Sequence, residues 1–204
     1  MKQILQNMRS CLSLMKSQDN IQRIYSYFKN KKYIWQLISQ YEDITTNVKS
    51  ISLLVETGNI NDAYTIFRKY LETYFIMMSL IVHPDLADEY VKHNEMLSLK
   101  ACRKDLDIVR AFSEGKPDNY LEYGYLEKYI DHNQSDFKYS AKSAAIVGDV
   151  LQFHWYYKMS NNFVHNNLTS VKVDQAKGKE TLIKAVKETT DLMNSKIELI
   201  INKA

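Results

Sequence analysis

"INDAYTIFRKYLETYFIMMSLIV", Ile60 to Val82, decides the fold. Ile60, Ala63, Phe67, Tyr70, Tyr74, Met77 and Ile81 recur at steps of three and four, the spacing of one helix stripe. Tyr64, Leu71, Phe75 and Met78 repeat the pattern on the other side. A helix that is apolar nearly all round belongs at the centre of a bundle. Pro84 follows and cannot continue the helix.

Upstream, Ile34, Leu37, Tyr41, Ile44, Val48, Ile51 and Val55 alternate the same steps, and Gly58 supplies a left-handed stop. Met1–Lys16 places Ile4, Met8, Cys11 and Met15 on one face, and Asp19 is positioned to cap a second stretch carrying Ile21, Ile24 and Phe28. Downstream, a polar helix is expected over about Asp85–Phe112, with Leu86, Tyr90, Leu97, Ala101, Ile108 and Phe112 inward. "SEGKPDN" (Ser113–Asn119) reads as a loop, and residues 120–135 as a short tyrosine-rich, acidic helix with an irregular segment. "SDFKYSAKSAAIVGD" (Ser135–Asp149) gives a short helix stopped by Gly148, with Asp149 capping the next. That next helix runs from Val150 to about His165, and a loop follows over Asn166–Asp174. Lys177–Asn202 closes the chain with Leu182, Val186, Met193, Ile197 and Ile200 in register.

The expected fold is therefore all-α, a bundle of four to five principal helices. Five Gly and two Pro are too few for the turns of a sandwich or a doubly wound sheet. At 204 residues the chain fits one domain, 1–204, or one domain with an extra helical lobe. It divides into a basic N-terminal helical segment (1–32), a core (34–170) and a C-terminal helix (177–202).

Net charge is only +3, but it is unevenly spread. Residues 1–32 hold Lys2, Arg9, Lys16, Arg23, Lys29, Lys31 and Lys32 against Asp19 alone. Glu114, Asp118, Glu122, Glu127, Asp131 and Asp136 answer Lys116 and Lys128 in the acidic stretch 114–136. The basic segment is either a solvated helix face or a contact for RNA or another acidic partner. Cys11 and Cys102 lack CxxC spacing and read as reduced, packed thiols. The longest apolar run, Tyr74–Val82, is far shorter than the ~20 residues of a spanning helix, and no leader opens the chain. A cytoplasmic protein away from membranes is expected.

Two constellations carry chemistry. In "YYKMSNNFVHNN" (Tyr156–Asn167), Lys158, Asn161 and His165 share a helix face with His154, opposite Leu151, Trp155 and Met159. The set suits phosphate binding, with His165 as acid or base near neutral pH, or else a plain solvent-facing stripe. On the central helix, Arg68 and Glu72 are four residues apart among apolar neighbours. They form either an ion pair that fixes another helix, for instance through Ser160 or His165, or an anion site built on Arg68. No zinc, phosphate-loop or nucleophile-elbow motif occurs, so neither a metal nor a cofactor is expected; Glu89 and His93 are a helical pair of the sort common by chance.

"GNINDAYTIFRKYLETYF" (Gly58–Phe75) followed by "YYKMSNNFVHNN" resembles the HEPN-like superfamily, in particular a branch with an Arg-x-x-x-Glu helix and a late Ser-x-x-x-x-His helix end. The layout matches over roughly 34–170, and specific letters match in those two stretches. The resemblance implies a helical bundle, often a homodimer. Many such relatives are metal-independent endoribonucleases of toxin–antitoxin, phage-defence or RNA-processing systems. Their signature is an Arg, usually a polar residue, then a His. Here His165 and Asn161 match the His and the polar position, while Ser160 stands where the Arg belongs. A Ser cannot replace that charge on a scissile phosphate. The resemblance thus implies either an interaction module that binds RNA, nucleotide or a protein partner, or an endoribonuclease in which Lys158 or Arg68 compensates.

Overall fold

The computed structural model describes residues 1–94, 97, 140–164 and 175–204. The chain divides into two compact units, Met1–Pro84 with Tyr139–Ala204, and Asp85–Lys138. Among the described residues there is no β-strand; the architecture is an all-α bundle.

The first unit opens with α1 (Lys2–Met15), which buries Ile4, Met8, Cys11 and Met15 as its spacing predicts. Helix α2 (Gln18–Phe28) is capped by Ser17, which accepts from the Asn20 N–H, rather than by Asp19. Asp19 instead lies in the first turn, where its charge complements the helix dipole. Lys29 adopts a left-handed conformation, and Asn30 caps the long α3 (Lys31–Glu56). All seven predicted stripe residues of α3, from Ile34 to Val55, are buried. The chain then reverses at Gly58, whose φ of +79° favours a residue without a side chain, and enters α4 (Ile60–Val82). The short reversal makes α3 and α4 an αα-hairpin.

Helix α4 is the centre. Ala63, Tyr64, Phe67, Tyr70, Leu71, Tyr74, Phe75 and Met77 are all completely buried. Helix α3 covers one side; α5 (Ala141–Val147) and α6 (His154–Val164) cover another; α7 (Gln175–Lys203) packs on α4 and α1. Three buried phenols bind α3 and α4 to α7. Tyr64 donates to the Gly178 carbonyl at 2.9 Å, Tyr70 pairs with Thr189 at 2.5 Å, and Tyr41 donates to Asn194 Oδ1 at 2.7 Å. Tyr33, Tyr41, Tyr64, Tyr70, Tyr74 and Tyr156 all lie in the interior. Burial pushes the Tyr41, Tyr70 and Tyr74 hydroxyls far above the ordinary phenol range, so they remain protonated donors.

The junction of α5 and α6 differs from expectation. Helix α5 does stop at Gly148, but Asp149 is left-handed (φ 54°) and caps nothing among the described residues; a 3-10 turn over Leu151–Phe153 begins at Val150. Gly148 is required for close approach. A Cβ there would lie 2.9 Å from both Met78 Cβ and Ser79 N of α4. Beside it the Ser79 hydroxyl is shared between the Phe75 carbonyl at 2.8 Å and the Ala144 carbonyl at 2.9 Å, tying α4 to α5.

In the second unit, described by itself, residues 86–94 are helical, and Ala87 and Tyr90 are buried. Leu97, predicted inward, is exposed. Ala101, Ile108, Phe112, Cys102 and the acidic stretch 114–136 lie outside the described residues.

The glycine contact yields a direct test. Gly148→Ala must displace α4 backbone atoms rather than a flexible side-chain tip. A loss of about 1–3 kcal/mol is expected, the usual cost of overpacking, measured as a lower urea midpoint with an unchanged slope.

A polar clasp between the central helix and the candidate helix

Arg68 and Glu72 project from the same stripe of α4, four residues apart. Their side chains are 29% and 45% exposed, so the pair sits at the edge of the core rather than within it. The Arg68 Nε lies 3.5 Å from Glu72 Oε1. Between them stands Tyr157 of α6. Its hydroxyl accepts from Arg68 Nη2 at 3.1 Å and donates to Glu72 Oε1 at 2.8 Å. The guanidinium carbon also lies 5.1 Å from the centroid of the Tyr157 ring, within cation–π range. One phenol thus satisfies both members of the pair and joins α6 to α4.

Sequence reasoning expected this link through Ser160 or His165 and missed Tyr157. The signal was present. A carboxylate and a guanidinium on one stripe need a group that both donates and accepts, and a phenol does both.

Around Tyr157 lie two more rings. His154 stacks on it with centroids 5.7 Å apart and planes at 22°. Phe75 of α4 approaches both Tyr157 and His154, at 6.5 and 6.3 Å. The Tyr157 pKa is raised, first by burial and then by Glu72, with Arg68 opposing. The His154 pKa is lowered, first by desolvation and then by the charges of Lys158 and Lys142. The neighbouring Tyr156 donates to Glu188 Oε2 of α7 at 3.0 Å, and burial with this carboxylate pushes its pKa up to about 12. Adjacent phenols on α6 therefore grip two different helices.

The inward face of α6 is set by Tyr156 and Ser160, four residues apart and 3% and 0% exposed. Leu151 and Trp155, expected on the apolar side, are about half exposed (47% and 51%). A small side chain lets the helix approach its neighbours closely, and a phenol carries its own polar anchor, so this pair outcompetes the larger indole for the interior. Ser160 donates to the Tyr157 carbonyl of its own helix at 2.7 Å. Lys158 is exposed, and Asn161 is partly exposed with a buried Oδ1 that has no partner among the described residues. His165 lies outside the described residues, as does His132. The structure thus brings Arg68 and Glu72 together with α6 and leaves Lys158 outside that cluster. No group of three metal-ligating side chains occurs among the described residues, and Glu89 and His93 gain no third ligand there.

These features define an all-α bundle whose central helix is latched to a late helix by a phenol-bridged ion pair. The chain belongs to DUF5677, a family of unknown function, which matches residues 36–180. That span takes in α4, α5 and α6 with the whole clasp and leaves α1 and α2 outside. No curated protein and no solved structure matches the chain.

Two measurements test the clasp. Tyr157→Phe removes one donor and one acceptor, and Arg68→Ala removes the guanidinium. Each is expected to cost about 1–2 kcal/mol. That is less than the ~3–5 kcal/mol of a fully buried pair, because both side chains keep contact with water. His154 adds a pH dependence. Its folded pKa lies below the ordinary imidazole value, so the unfolded chain binds the proton more readily. Stability is full above about pH 6.5 and falls as pH drops towards the folded pKa. His154→Gln should flatten that slope between pH 5 and 7 in urea titrations. Lys158→Gln should raise the His154 pKa read by proton NMR.

Proposed function

We propose that the protein is a HEPN-like interaction module of the defence or stress type, not a catalyst. The observation that carries this reading is Ser160. It occupies the place of the signature Arg, is completely buried, and gives its hydroxyl to its own helix. No group at that position reaches a phosphate. Arg68 is one of the two substitutes the sequence offers, yet its guanidinium is turned onto Tyr157 and Glu72. The clasp then serves to hold α6 in place.

The module reading extends to a homodimer acting in the cytoplasm on RNA, a nucleotide or a protein partner. Among the described residues, no helix is long and apolar enough to cross a membrane. Light scattering at tens of micromolar should return twice the 24.0 kDa chain mass. A monomeric mass overturns the dimer.

The second reading is a metal-independent endoribonuclease in which the ribose 2′-OH attacks the adjacent phosphate. His165 acts as acid or base, and Lys158 steadies the charge of the phosphorane. What favours it is that Lys158 is exposed and has no carboxylate partner among the described residues. A single assay separates the two. The purified protein is incubated with varied single-stranded RNAs, without metal, from pH 5 to 8. The module leaves every RNA intact. Cleavage that follows a group near the ordinary His value of ~6.5 and vanishes in His165→Ala establishes the enzyme.

A further inference from the structure

We propose that the corner between α2 and α3 is a binding surface for single-stranded nucleic acid, which gives the interaction module a partner and rests on that reading. The first 32 residues carry seven Lys or Arg against one Asp, a net +6 in a chain whose total is +3, so everything after Lys32 sums to −3. The attraction for a polyanion is therefore concentrated at one end of the sequence.

The structure gives this charge a shape. Arg23 and Tyr27 are four residues apart on α2, and both are exposed. Lys32 and Trp35 are three apart in the first turns of α3, and both are exposed. Tyr27 and Trp35 show 56% and 59% of their surface to solvent, against the complete burial of most rings in the core. The corner itself is fixed. Lys29 turns the chain in a left-handed conformation, Asn30 caps α3 by accepting from the Tyr33 N–H at 3.1 Å, and Phe28 packs on Tyr33 with centroids 4.8 Å apart. Phe28 also supports Tyr27 edge-on at 4.8 Å. Two exposed aromatic rings thus flank a rigid turn, each at helical spacing from a cation. Among the described residues neither Arg23 nor Lys29 is paired with a carboxylate, whereas Lys16, further along α2's approach, is bound to Glu42.

Stacking platforms beside cations are what single strands need, because their bases are unstacked and every base has a π-face. A duplex offers only phosphates to such a surface and gains nothing from Tyr27 and Trp35. The family match begins at residue 36, so Arg23, Tyr27, Lys32 and Trp35 all lie before the matched span.

The test uses the full chain and a 5′-labelled 12-nucleotide oligouridylate, read by fluorescence anisotropy at rising salt. Wild type is expected to bind, with affinity falling as salt rises. Trp35→Ala and Tyr27→Ala should each weaken binding about tenfold, the order of one stacked base. Arg23→Gln with Lys32→Gln should make the logarithmic salt slope shallower by about 1.4, or ~0.7 for each charge removed. All four side chains are exposed, so the variants should melt with the wild type. Vesicles containing phosphatidylserine and a duplex of the same length are run in parallel. Absence of wild-type binding, unchanged affinity in the aromatic variants, or binding to the vesicles in place of the oligonucleotide overturns the proposal. Failure here is distinct from failure of the module reading. Cleavage of the RNA overturns the module and leaves the surface standing; unchanged corner variants overturn the surface and leave the module standing.

Discussion

A helix that is apolar on nearly every side must be covered on nearly every side, and the rest of the structure answers that demand from α4. One partner cannot do it. Helix α3 shields one flank through the short reversal at Gly58, α5 and α6 shield another, and α7 returns from the far end of the chain to shield a third. Burial of this area supplies the main driving force, but it is non-directional and would accept many arrangements of the same helices. Direction comes from the tyrosines. Each buried phenol must find a partner or leave its hydroxyl desolvated and unpaired, which costs about 1–3 kcal/mol. Tyr41, Tyr64 and Tyr70 each have one acceptor or partner on α7, and the three bonds together define where α7 lies. Among the described residues the hydroxyls of Tyr33 and Tyr74 have no hydrogen-bond partner.

The polar edge of α4 obeys the same logic with charge in place of phenols. Arg68 and Glu72 sit where the coverage by α6 is incomplete, so water solvates them from one side and Tyr157 from the other. Such a clasp adds only about 1–2 kcal/mol, since both charges keep contact with water. Its effect is on register. Sliding α6 by one residue would carry Tyr157 about 100° round the helix and leave both charges without their common partner. Tyr156 imposes the same register from the α7 side through Glu188.

The bundle was legible because its stripes are long. Seven positions on α3 and the two stripes of α4 leave no period but the helical one, and every predicted α3 position is buried. The candidate helix was harder for a physical reason. It is short, begins in a 3-10 turn, and mixes Trp, Tyr, Ser and Asn, so hydrophobicity alone does not rank its faces. The indole of Trp155 was assigned inward on apolar character, yet Tyr156 and Ser160 hold the interior because they fit and satisfy their own polar groups. Arg68 and Glu72 could be picked out as charges on an apolar helix, whereas their partner on α6 depends on helix packing that spacing does not encode. Asp19 and Asp149 failed as caps for local reasons: Ser17 is better placed to accept from the backbone N–H groups of α2, and Asp149 is left-handed and lies ahead of a 3-10 turn that begins at Val150.

Ser160 joins these lines. In the sequence it stands where the resemblance puts an Arg. Its surroundings suggest a different account. The position is fully buried, on the face of α6 turned towards the core. A guanidinium placed there would have to leave water without a carboxylate assigned to it, since Glu72 and Glu188 are already engaged by Tyr157 and Tyr156. An unpaired buried charge costs several kcal/mol, and the long side chain would also force α6 away from its neighbours. The two tyrosine anchors and an inward Arg at position 160 are therefore competing solutions for one helix. Holding α6 by its phenols fixes its register and keeps a small side chain at position 160.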